Sequence, residues 1–101
     1  MKTFADLQFK PNPTAVIGGI QACMTFDNGY SVSVIRNAYS YGGRDNLYEL
    51  AMMNADYSKI IYCDIVNYDV CGYLKPKDVT ELMIKIQRVK PNAYPKDDKG
   101  E

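Results

Sequence analysis

A chain of 101 residues, 47% apolar and 24% charged, can build one core but not two, and lies away from the composition that leaves chains disordered. Its 12 basic and 12 acidic residues exclude the electrostatic footprint of a general nucleic-acid binder and equally that of an acidic mimic of DNA. It has no histidine, which removes Ser-His-Asp, Cys-His and His-metal chemistry.

In chain order, "TFADLQF" allows one short helical turn capped by Thr3 with Asp6 three residues on, before "KPNP" forces extended backbone at Lys10 and Asn12. This arm is expected to pack Phe4 and Leu7 onto the body. "GGIQACMTFDNGYSVSVIRN" then reads as a β-hairpin. Parity sets its register: a two-residue Asn-Gly turn pairs Phe26 with Ser31 and puts polar side chains on the apolar face. A three-residue loop, Asp27-Asn28-Gly29 with Gly29 left-handed, instead pairs Phe26 with Tyr30, Met24 with Val32 and Ala22 with Val34, and is the expected turn.

"LYELAMM" reads as a third strand with Tyr48, Leu50 and Met52 on one face, "NADYS" as a turn, and "KIIYCDIV" as a fourth strand, apolar on both faces. After "NYDVCGYL" comes the clearest element: Pro76 at a helix start, then Val79, Leu82, Met83, Ile86 and Val89 at helical spacing, with Leu82 and Ile86 expected in the core. Lys75 is a poor cap. From Pro91, "PNAYPKDDKGE" reads as a disordered tail. The expectation is a single α+β domain over residues 1–90, with a tail over 91–101. It comprises an antiparallel β-meander of about four strands with the C-terminal amphipathic helix on one face. The other face, or an edge strand, leaves room for a second copy of the chain to form a homodimer.

The chemistry this sequence supports is limited. Cys23, Cys63 and Cys71 have no zinc-type spacing, and a reducing cytoplasm with thiols acting as small buried hydrophobes is the expected setting for those in strands. No run reaches the ~18 apolar residues of a membrane span, and "MKTFADLQFK" lacks the apolar stretch of a signal peptide. Asp56, Asp64 and Asp69 lack the spacing of an oxygen-rich metal loop and read as solvated loop acids, and Ser58-Lys59 carries still less weight. The reading is of a protein that is not an enzyme and carries no cofactor or metal.

"SYGGRDNLYEL" carries three alternatives. The amides of Gly42-Gly43 could cradle an anion that Arg44 neutralises, making the protein a nucleotide or signalling-molecule binder, although no phosphate-loop pattern accompanies them. The glycines could simply permit a bend. Or the loop could be a partner-binding surface: of nine tyrosines, Tyr39, Tyr41 and Tyr48 lie beside Arg44, and tyrosine and arginine anchor protein interfaces.

The segments "FDNGYSVSVIRN", "YSYGG", "LYELA", "DVCGYL" and "DVTELM" resemble those of short proteins encoded in tailed-phage genomes, a group from which no catalytic residue carries over. Lys75 departs from the threonine or serine expected there, and "YSKIIYCDIVNYD" is less polar than its counterpart. The resemblance implies an accessory protein of the host cytoplasm that binds and blocks or redirects a host protein, such as a defence or replication enzyme.

Overall fold

The computed structural model describes residues 1–12 and 18–94. Among the described residues five antiparallel strands, β1 (Lys10–Pro11), β2 (Ile20–Thr25), β3 (Tyr30–Arg36), β4 (Tyr48–Asn54) and β5 (Cys71–Leu74), lie in chain order in one sheet, followed by the helix α1 (Pro76–Gln87). The fold class is the α+β meander expected, with five strands rather than about four. The hairpin register also agrees: Met24 opposes Val32 and Ala22 opposes Val34, while Phe26 N–H donates to Tyr30 C=O at 2.8 Å and Gly29 has φ +89°. A left-handed residue closing a three-residue loop is the geometry glycine adopts without a Cβ penalty.

The fourth strand is not where the sequence suggested. Ile60 forms only an isolated bridge with Met53, and the chain then leaves the sheet for a 3-10 turn at Asp64–Val66. It still buries Ile61, Cys63 and Val66, so the apolar run fills the core without forming a ladder. Tyr68 N–H returns to Cys63 C=O at 2.8 Å, with Asn67 and Tyr68 both left-handed, and that reversal ends the extended run. The edge strand is instead Cys71–Leu74, in a stretch whose glycine hides its strand character.

One face of the sheet carries Ala22, Phe26, Tyr30, Val32, Val34, Leu50 and Met52, all buried, against Val79, Met83 and Ile86 of α1. Leu82, expected in the core with Ile86, is only half-buried. Cys23 also departs from expectation: it lies on the uncovered face of β2 and is exposed, whereas Cys63 is buried. The helix starts without help from the Lys75 side chain, because Pro76 needs no N–H partner and Asp78 Oδ2 accepts the Lys75 N–H at 2.9 Å. At the other end Asn28 Nδ2 reaches across from the hairpin loop to the carbonyls of Ile86 and Val89, at 2.8 and 2.9 Å. Ile86 is one of the acceptors that a helix terminus leaves without an intrahelical partner, and Val89 lies just past the cap.

The amino-terminal arm packs as its sequence implies. A 3-10 turn at Phe4–Asp6 buries Leu7, Phe4 N–H donates to Thr80 Oγ1 at 3.0 Å, and Gln87 of α1 exchanges hydrogen bonds with the Lys2 backbone. At the far end, packing continues past residue 90 to Tyr94, whose ring lies 6.3 Å from that of the buried Tyr30 and whose N–H donates to Tyr30 Oη at 2.8 Å. Residues 95–101 of the expected tail lie outside the described residues.

Tyr94 Oη donates to Asp64 Oδ1 at 2.9 Å, and that hydrogen bond is the main cause pushing the Tyr94 hydroxyl from 10.0 up to about 12. A proton held more tightly in the folded than in the unfolded state stabilises the fold fully below the unfolded value, and the gain is lost as pH rises through the folded one. Stability is therefore expected to fall faster between pH 10 and about 12 in the parent than in Tyr94→Phe, a difference that paired thermal melts measure.

Candidate functional site

The loop joining β3 to β4 is built from its backbone outward. Asn37 Oδ1 accepts the N–H groups of Tyr39 and Ser40 at 2.7 and 2.8 Å, and Ser40 Oγ accepts the Asn37 N–H at 2.9 Å. An asparagine that bonds the backbone two and three residues on starts a turn without help from the sheet. Gly42 follows with φ +89°, then a 3-10 turn at Gly43–Asp45 and a left-handed Asn46 at φ +62°.

Two contacts tie this loop to the sheet. Tyr41 N–H donates to Glu49 Oε1 at 2.8 Å, and Tyr41 C=O accepts the Tyr73 N–H at 3.1 Å. Tyr73 belongs to a bulge: Tyr48 opposes Leu74 and Leu50 opposes Cys71, so Gly72 and Tyr73 together face Glu49 alone. Tyr73 has φ +56°, a conformation rare for an aromatic residue, and the extra residue turns it out of the ladder. The result is a braced aromatic surface. Tyr39, Tyr41 and Tyr73 are 75%, 57% and 62% exposed, and Arg44 stands exposed with Nε donating to Ala38 C=O at 3.2 Å.

Of the residues singled out from sequence, Tyr39, Tyr41 and Arg44 are on this surface, while Gly42 and Gly43 lie beneath it. Tyr48 does not join them. Its ring packs against Phe4 and Phe9 at centroid distances of 5.1 and 5.3 Å, with the Arg36 guanidinium 5.2 Å from its centre, so it anchors the amino-terminal arm. Parity already placed Tyr48 with Leu50 and Met52. Tyr73 takes its place at the surface, and no sequence signal marks a bulge within four residues of strand.

The anion-cradle geometry finds little support in the hydrogen bonds. Gly43 N–H donates to Ser40 C=O, Asp45 and Leu47 N–H to Gly42 C=O, and Asn46 N–H to Gly43 C=O, all between 2.9 and 3.2 Å. Of the amides a phosphate would recruit, that of Gly43 and those following Arg44 are thus spent on shaping the loop.

Elsewhere the acids are local. Asp56 accepts hydrogen bonds from Ser58, which lower its carboxyl below the usual range, and Asp64 holds Tyr94. Burial, and then the carboxylate of Asp69, push the Cys71 thiol up, away from nucleophilic character. Among the described residues no three metal-ligating side chains converge, and no helix is long and apolar enough to cross a membrane. In comparisons with protein-family models, curated proteins and solved structures the chain matches none of them, and its chemistry has to be read from its own geometry.

Proposed function

We propose that this chain is a small binding protein that docks on a host macromolecule through Tyr39, Tyr41, Arg44 and Tyr73 and modulates or inhibits it. The observation that carries the reading is the main chain of Tyr41, held through both its N–H and its C=O while its ring stays exposed. An interface anchor fixed before binding loses less entropy on docking than one on a free loop. Tyrosine adds area at the cost of only two rotatable bonds, and arginine adds a planar fork of donors. The phage-protein resemblance supplies the context of a host target in the cytoplasm.

The test is affinity capture from host lysate with the tagged chain, comparing the parent with the double variant Tyr41→Ala/Arg44→Ala. The double variant is expected to melt close to the parent and to bind the captured partner at least about 2 kcal/mol more weakly, roughly 30-fold. Equal capture by both proteins would overturn the assignment of this surface. A panel of nucleotides in a thermal-shift assay is expected to leave the melting temperature unmoved. A ligand at 100 times its dissociation constant would instead stabilise by about 2.7 kcal/mol, the outcome a phosphate-binding loop requires.

A further inference from the structure

We infer that the groove between α1 and the segment leading into β5 is a second docking site, for a basic amphipathic peptide segment of a partner protein. Leu82 belongs by helical spacing with the core residues, and it is half-buried because it packs against the core on one side and lines this groove on the other. With Ile65 and Leu74 it makes the small apolar floor of an open, mostly polar groove of about 540 Å³.

The charge around this floor is one-sided. Asp64, Asp78 and Glu81 face the groove against the single ammonium of Lys85, although the chain as a whole has a formal net charge of zero. Two of the carboxylates are fixed in place: Asp64 by the Tyr94 hydroxyl on Oδ1 and Asp78 by the Lys75 N–H on Oδ2, each with its other oxygen outside that bond. On α1 the groove residues fall at 78, 81, 82 and 85, the spacing of one helix face beside the buried stripe at 79, 83 and 86. The helix thus has two working faces, one for the core and one for the groove.

Complementarity selects the occupant. An acidic segment is repelled by three carboxylates, and a purely polar cation leaves the leucines uncovered. A segment that sets an aliphatic side chain on the floor with lysine or arginine on either side satisfies both, as amphipathic helices do in acidic hydrophobic grooves. This surface goes beyond the tyrosine loop and does not depend on it.

The probe is a fluorescein-labelled amphipathic peptide of leucine and lysine, followed by anisotropy against the full chain. Control peptides carry glutamate for lysine or serine for leucine, and spermine serves as a competitor. Glu81 and Lys85 are exposed, so Glu81→Lys and Lys85→Glu are expected to melt like the parent. The peptide should bind several-fold more weakly to Glu81→Lys and several-fold more tightly to Lys85→Glu, and both control peptides should fail. Absence of binding, equal binding by the serine peptide, full competition by spermine at equal charge, or indifference to both variants would each overturn the proposal.

Discussion

Met83→Ala is expected to cost about 2–5 kcal/mol of stability, a large part of the 5–15 kcal/mol typical of a domain. Met83 is fully buried on the face of α1 that meets the sheet, between Val79 and Ile86, which are buried as completely. Removing its thioether chain loses the transfer free energy of the side chain and leaves a cavity where strands and helix cannot close up independently. Neighbouring Leu82 supplies the internal control. Half-buried and facing the groove, it can be truncated with water entering rather than a void forming, so Leu82→Ala should cost well under the Met83 value. Urea unfolding of the two variants measures the contrast, and equal losses would mean that the helix packs one residue out of register with the face described.

This contrast marks what was legible in the sequence and what was not. Periodicity locates a helix face to within one side chain, so it grouped Leu82 with Val79, Met83 and Ile86; which of two adjacent stripes meets the sheet depends on how the neighbouring segment packs. The hairpin register was readable because a one-residue slip would put Ser31 and Ser33 among apolar side chains, and only one loop length avoids that. The segment 59–66 was misread for a complementary reason. A run apolar on both faces fits a buried strand, but it fits equally a coil whose side chains all turn inward, and the left-handed Asn67 and Tyr68 that decide the matter carry no distinctive signature. In the candidate site, composition identified Tyr39, Tyr41 and Arg44. Tyr73 came from a bulge and Tyr48 was lost to an aromatic cluster with Phe4 and Phe9, both products of contacts between segments far apart in the chain.

The glycines of the loop divide the labour of bending and presenting. Gly42 takes the left-handed turn, with φ +89°, and its absent Cβ would come within 2.8 Å of Tyr73 Cα. Gly43 matters for space: a Cβ there would run into the carbonyl oxygen of Asn37 and come within 2.6 Å of Ser40 Oγ, the two atoms that form the opening turn. Gly43→Ala should therefore cost about 1–3 kcal/mol, as overpacking against backbone does, and Gly43→Val more. Gly72 meets a different neighbour. A Cβ there would run into Tyr41 Cβ, which no rotation of the side chain moves, and come within 3.1 Å of the Tyr41 carbonyl oxygen, so Gly72→Ala must part the loop from the edge strand. That variant is also expected to lose about 1–3 kcal/mol, and with the Tyr41 main chain displaced from the strand, binding through the loop weakens. Melting curves and partner capture on the two variants separate the roles. Comparable losses of stability with the larger loss of binding at Gly72 mean that the bend exists to hold Tyr41 over the edge strand, whereas unimpaired binding by Gly72→Ala would make the exposed tyrosine incidental to the loop.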